Sequence, residues 1–116
     1  MFGSNDYCNN TLRISLKEVG YPSGSFIETP EGVQSYPPFT IYEAQRWFRD
    51  SKGLCIEVNV CPSGYFWELC LAYNPNKRVG GSTIWTSSTF ETTYENALRD
   101  GIVHAVKVVK EGTYGV

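Results

Sequence analysis

The stretch Leu54-Cys55-Ile56-Glu57-Val58-Asn59-Val60-Cys61-Pro62-Ser63-Gly64-Tyr65-Phe66-Trp67-Glu68-Leu69-Cys70-Leu71-Ala72-Tyr73 decides the fold. Leu54 to Cys61 alternates between apolar and polar positions, the period of a half-buried strand. Tyr65 to Tyr73 alternates as well, with Trp67, Leu69, Leu71 and Tyr73 on one side. Pro62-Ser63-Gly64 marks the turn between them. A two-residue loop at Ser63-Gly64 places Val60 opposite Trp67, Val58 opposite Leu69 and Ile56 opposite Leu71, with all of them on one face. In that register Glu57 opposes Cys70 and Glu68 opposes Asn59. A three-residue loop would put the two apolar rows on opposite faces, so it is rejected.

Helices flank this hairpin on both sides. Thr40-Ile41-Tyr42-Glu43 is a capping box with Thr40 as N-cap. The helix it opens runs to about Lys52 and stops at Gly53. Ile41, Ala44, Gln45 and Phe48 share one face, and Trp47 flanks it. After the hairpin, the segment from Asn74 to Ser82 reads as a loop. Thr83-Ile84-Trp85-Thr86 opens a third strand that the pattern lets run as far as Phe90. Thr92-Thr93-Tyr94-Glu95 is a second capping box. The last helix carries Tyr94, Leu98, Ile102, Ala105 and Val109 on one stripe and ends at Gly112.

Upstream of Thr40, residues 1–9 read as a loose arm. Asn10 or Thr11 caps a short helix over about residues 11–19, which Gly20 ends. Residues 21–38 are rich in turn formers and read as a small hairpin or an irregular loop around Pro30-Glu31-Gly32. The expected organisation is therefore an N-terminal extension (1–39), a core (40–112) and a tail (113–116). The fold class is α+β: a three-stranded antiparallel sheet with two helices packed on one face, in the order helix, strand, strand, strand, helix. The double-stranded-RNA-binding fold shares this topology, which is an analogy of shape and does not carry function.

Composition narrows the function. The 116 residues suit one domain, and 41% hydrophobic with 15% aromatic residues suits a packed core. Ten basic against twelve acidic residues give a net charge of -2, which argues against a basic nucleic-acid clamp. Glu91, Glu95 and Asp100 stand where a double-stranded-RNA binder would need cations, so nucleic acid is an unlikely partner. No apolar run is long enough to cross a membrane, and the first residues show no signal peptide, so a cytoplasmic location is expected.

Cys8, Cys55, Cys61 and Cys70 form no C-x-x-C pair, and His104 is the one histidine, so neither a metal nor a cofactor is expected. Cys55 and Cys61, at the two ends of one strand, would sit about 20 Å apart, beyond disulfide reach. The cysteines read as reduced structural thiols. His104 reads as a solvated residue on the flank of the last helix, and the sheet would separate it from Cys55, Cys61 and Cys70. Glu57 and Glu68 share a sheet face as diagonal neighbours, but an open face is not a cleft for acid–base work. No catalytic residues are assigned, and the chain is expected not to be an enzyme.

Two surfaces remain as candidate sites. The outward sheet face carries Cys55, Glu57, Asn59, Phe66, Glu68 and Cys70, together with Cys61 and Ala72, and is more apolar than a plain solvated face. It calls for a cover: the N-terminal extension, a second copy or a target protein. The loop Lys77-Arg78-Val79-Gly80-Gly81-Ser82 combines two cations with flexible backbone, a chemistry suited to a small anion or nucleotide, although its spacing is not that of a P-loop. Lys77, Arg78, Gly80, Gly81 and Ser82 are its candidate ligand residues.

The stretch Ile41-Tyr42-Glu43-Ala44-Gln45-Arg46-Trp47-Phe48-Arg49-Asp50, the strand Cys55 to Val60 and the ending Thr93-Tyr94-Glu95-Asn96-Ala97-Leu98-Arg99-Asp100-Gly101-Ile102 resemble a family of small uncharacterised proteins encoded by phages and prophages of gut Bacteroidetes. The resemblance covers about residues 40–110, and Leu12 to Gly20 matches the family's leading helix. This chain departs from the family in its long Pro/Gly-rich stretch before Thr40 and in Phe48, where the family has Leu. The resemblance implies the same α+β core and a phage-type origin in a bacterial host cell, and it assigns no catalytic residue. The expectation is a small non-enzymatic accessory protein, a binding or protein-interaction module that interferes with a host process. Its alternatives are a protein that sequesters a nucleotide or other anion, and a nucleic-acid-binding module.

Overall fold

The computed structural model of the chain describes residues 6–22, 25–30, 32–36, 39–71 and 83–112. The candidate anion loop at Lys77 to Ser82, Ala72, Tyr73 and the tail 113–116 lie outside the described residues. The elements in order are α1 (Asn10–Glu18), β1 (Ser25–Thr29), β2 (Gly32–Tyr36), α2 (Ile41–Trp47, continued by a π-helical turn over Phe48–Lys52), β3 (Leu54–Cys61), β4 (Gly64–Leu71), β5 (Thr83–Thr86) and α3 (Tyr94–Glu111). Strands β3, β4 and β5 form one antiparallel sheet in that order, and β1 and β2 form a separate antiparallel pair. The α+β class and the helix-backed three-stranded sheet are as expected.

Residues 6–9 are not a loose arm. Tyr7 forms an isolated antiparallel bridge with Thr40, and the Cys8 N–H donates to the Phe39 carbonyl at 3.0 Å. Cys8 is buried with Leu12 and Leu16, because the apolar side of α1 needs the core as cover. The cap of α1 is Asn9 rather than Asn10 or Thr11: its side chain accepts from the Leu12 N–H at 2.9 Å. Of the two readings for residues 21–38, the hairpin is the one observed, with Thr29 paired to Gly32.

Thr40 caps α2 as expected, its Oγ1 accepting from the Glu43 N–H at 3.1 Å. Gly53 ends the π-turn at φ 66, a conformation that side chains disfavour. The cap of α3 falls on Thr93, one residue later than the sequence box, and its side chain accepts from the Asn96 N–H at 3.1 Å. The one-residue shift turns Glu95 towards Tyr42, whose hydroxyl lies 3.3 Å from Glu95 Oε1 and 2.9 Å from Asp6 Oδ1. Burial and these two carboxylates raise the Tyr42 phenol well above its usual range.

The central hairpin has the expected faces and a different register. Val58 pairs with Trp67, Ile56 with Leu69, Leu54 with Leu71 and Cys61 with Gly64, so the two-residue loop is Pro62-Ser63. On the other face Cys55 opposes Cys70, Glu57 opposes Glu68 and Asn59 opposes Phe66. A slip of two residues leaves every side chain on its face, so the binary pattern alone cannot detect it. Gly64 fixes the choice. It sits at φ 133, and a Cβ there would lie 2.6 Å from the Glu91 carbonyl oxygen, so the backbone of Glu91 can approach only a glycine.

Strand β5 stops at Thr86 and does not run to Phe90. A bulge between Leu69 and Cys70 on the β4–β5 ladder leaves Ile84 between the partners of those residues, Trp85 and Thr83. Ile84 packs against the core. Leu54, Ile56, Trp67 and Leu69 are buried on the helix face of the sheet beneath Ala97, Leu98, Ile102 and Ala105 of α3. Gly101 lets α3 seat there, since a Cβ would come within 2.8 Å of Ile56 Cγ2 and 3.2 Å of the Trp67 Cβ.

Candidate functional site

Hydrogen-bond phase along β3 and β4 determines which main-chain groups face outward. In an antiparallel hairpin with a two-residue loop, the pair flanking the loop exchanges hydrogen bonds, and such pairs then alternate. Cys61–Gly64, Asn59–Phe66, Glu57–Glu68 and Cys55–Cys70 are therefore the bonded pairs. The N–H and C=O groups of Leu54, Ile56, Val58 and Val60 point away from β4, and those of Tyr65, Trp67 and Leu69 point away from β3.

On the β4 side these groups are taken up. Leu69 lies against β5. The Trp67 carbonyl accepts from the Ser87 N–H at 2.9 Å, and the Trp67 N–H donates to Ser87 Oγ at 3.1 Å. Tyr65 exchanges both main-chain bonds with Glu91, at 2.9 and 2.8 Å. On the β3 side, Gln45 of α2 donates its side-chain amide to the Ile56 carbonyl at 2.7 Å. Among the described residues none bonds the outward groups of Val58 and Val60, and Val60 is 68% exposed. Helical spacing places Gln45 on one face with Ile41, Ala44 and Phe48 and carries no sign of this edge, because a free edge is a property of strand order.

The sheet face expected to be open is partly closed. Glu57 and Asn59 are exposed, Cys55, Phe66 and Glu68 are half-buried, and Cys70 is 5% exposed, so Cys70 is not available as an interface residue. Its Sγ lies 3.6 Å from Thr83 Oγ1. Glu57 and Glu68 are direct cross-strand partners rather than diagonal ones. Like charges in that position repel. The Glu68 carboxylate is held by the Asn59 amide at 2.9 Å on one oxygen and the Thr83 hydroxyl at 3.2 Å on the other. Phe66 packs edge-on against Phe90, ring centroids 6.0 Å apart. Burial, with Glu57 adding to it, raises the Cys55 thiol, and burial pushes the Cys8 thiol up to about 12. Both thiols therefore stay protonated at neutral pH, the unreactive form.

His104 is not a solvated flank residue. Its ring lies over Trp67 at 4.6 Å between centroids, tilted by 36°, and its Nδ1 is 3.3 Å from the Asp100 carbonyl oxygen. The Trp67 indole N–H donates to Asp100 Oδ2 at 2.7 Å. Asp100, His104 and Lys107 recur at helical spacing and line a cleft of about 390 Å³ whose far wall is Trp85 and the segment after it. The sequence shows the spacing of the three α3 residues, but only the packed fold brings Trp67 and Trp85 to them. A second cleft, of about 330 Å³, lies between α2 and β3 at Gln45, Arg46, Arg49 and Cys55. Arg49 and Arg46 pair there with Asp50, and the Arg49 hydrogen bond is the main cause of the lowered Asp50 carboxyl.

Among the described residues no cluster of three metal-ligating side chains occurs, and no helix is long and apolar enough to cross a membrane. No protein-family model, curated protein or solved structure matches the chain.

Proposed function

We propose that the chain is a non-enzymatic protein-interaction module that accepts an extended strand on the outer edge of β3. The observation that carries this reading is the main chain of Val58 and Val60, whose outward groups have no bonding partner among the described residues, beside a side chain 68% exposed. Such an edge templates strand addition unless something blocks it. Here Gln45 blocks only the Ile56 position.

A second copy of the chain is the occupant that the edge itself favours. An antiparallel pairing centred on Asn59 sets Val58 against Val60 of the second copy, and both residues carry outward-facing groups. Glu57 then opposes Cys61, so no like charges meet across the new ladder. The result is a continuous six-stranded sheet. A target protein with an extended apolar segment would use the same edge. The resemblance of residues 41–50 and 93–102 to phage-encoded proteins supports placing such a module in a phage-type setting, acting on a host process.

The test is native mass spectrometry with sedimentation velocity on wild type and Val60→Pro. Proline removes the outward N–H, and an edge position tolerates it. A dimer or a stoichiometric protein complex in wild type, lost in Val60→Pro with circular dichroism unchanged, is the expected result. A wild-type chain that stays monomeric and bare at high concentration, or an assembly that survives the proline, overturns the reading.

A further inference from the structure

On the other side of the sheet, independently of the β3 edge, we infer that the cleft between α3 and the segment after β5 is a binding site for a neutral polyhydroxylated ligand, a sugar. Trp85 forms one wall and is 41% exposed. A half-exposed indole offers a flat apolar face, and among the described residues no aromatic ring stacks on it. The opposite wall, on α3, carries Asp100, His104 and Lys107. Thr86, Ser88 and Thr89 add hydroxyls at the rim. At about 390 Å³ the cleft falls in the lower part of the ~300–1,000 Å³ range of ligand sites.

Charge balance selects the ligand class. Asp100 and Lys107 are the acidic and basic residues of the lining, one of each sign. An anion would meet the carboxylate and a cation would meet the ammonium. A purely apolar ligand would strip water from both without replacing its hydrogen bonds. A neutral molecule with an apolar face and a ring of hydroxyls satisfies all of these groups at once. Its C–H face lies on Trp85, while its hydroxyls donate to the carboxylate and accept from the ammonium.

The protein holds these groups in place without the ligand. Asp100 uses Oδ2 for the Trp67 indole, and among the described residues Oδ1 has no partner. His104 is fixed by its stack on Trp67 and by the contact of Nδ1 with the Asp100 carbonyl, so its Nε2 side is left for a ligand. Ser87 pins the far wall through its two bonds to the Trp67 main chain and a third, from its hydroxyl to the Thr89 carbonyl at 3.2 Å. A site pre-formed in this way orders little on binding.

The chain has three tryptophans, so a ¹H–¹⁵N spectrum of the intact protein resolves three indole N–H signals. Methyl glucopyranosides, methyl galactopyranosides and N-acetylglucosamine are titrated separately, with adenosine and adenosine monophosphate as competitors. At least one sugar should shift the Trp85 and Trp67 indole signals saturably, with a Kd on the order of 1 mM, the range for a ligand of that size. Trp85→Ala should weaken that binding by about tenfold or more. Asp100→Asn, which keeps an oxygen for the Trp67 indole, should weaken it without disturbing the rest of the spectrum. The inference is overturned if no sugar in the panel gives saturable shifts, if Trp85→Ala and Asp100→Asn both leave the shifts unchanged, or if adenosine or its phosphate binds more tightly than every sugar.

Discussion

The two outer edges of the β3–β4 hairpin are finished differently. Beyond β4, the chain returns as β5, then as Ser87, then as Glu91, and takes up the outward groups of Leu69, Trp67 and Tyr65 in turn. Beyond β3, among the described residues, one side-chain amide, from Gln45, reaches one carbonyl. Both strands have eight residues. The difference lies in the segments that adjoin each strand along the chain. Strand β4 is trailed by a segment long enough to lie back along it, whereas β3 is preceded by a helix that runs into its N-terminal end. A sheet edge closed in this way anchors the fold, and an edge left bare is where another chain can add.

The sharpest way to break this comparison is to damage each edge and compare the losses. Trp67 is 3% exposed, and its main chain and indole are both bonded. Trp67→Ala should lower the unfolding free energy by about 3–5 kcal/mol in urea denaturation. Val60→Ala, at a side chain 68% exposed, should change it by no more than about 0.5 kcal/mol. Similar losses at the two positions would erase the distinction.

Gly64→Ala attacks the closure itself. The added Cβ would fall 2.6 Å from the Glu91 oxygen at a φ of 133. A loss of about 1–3 kcal/mol is expected, with faster amide exchange at Tyr65 and Glu91. A silent substitution would mean that the Glu91 return does not anchor β4. A smaller effect is expected on the other side. Gln45→Ala frees the Ile56 carbonyl and should cost about 0.5–1.5 kcal/mol in the monomer. It should also extend the bare edge and strengthen self-association in sedimentation velocity. Weaker association would mean that the Gln45 amide supports pairing rather than blocking it.

A last test leaves both edges untouched and reads how stability changes at alkaline pH. Burial lifts the Cys8 thiol from its usual range to about 12. The folded chain therefore holds a proton that the unfolded chain releases above about pH 9. Stability contributed by the buried thiol is complete below that pH and is lost as pH rises towards 12. Tyr21, also pushed up to about 12 by burial, acts in the same direction. Cys8→Ala should make the alkaline fall in stability shallower while the order of amide exchange at the two edges stays as it was. An unchanged alkaline profile would remove Cys8 from the core.

Much of the fold was legible in local residues. The Thr40–Glu43 box, the terminators Gly53 and Gly112, and the faces of β3 and β4 follow from caps, φ preferences and a period of two, all of which act within a few residues. The misplaced features are those where local signals tie. Two adjacent threonines offer equivalent caps, and position 93 wins where Glu95 then meets Tyr42. A register slip of two is invisible to the alternation and is set by Glu91 approaching Gly64 from a distant part of the chain. His104 reads as surface because it lies off the apolar stripe of its own helix; its partner Trp67 lies in the sheet.

The sequence alone determined the α+β class, the hairpin at the centre, the helices that back it and the absence of a long apolar span among its segments. These depend on periodicity and on residues that cap or break the chain nearby. The tertiary structure alone decided the register, the burial of Cys8 and Cys70, the bare edge of β3 and the cleft that joins Trp85 to Asp100, His104 and Lys107. Each of these is a relation between residues far apart in the chain. Their contacts form only once the loops have closed, and no local preference records which distant partner arrives.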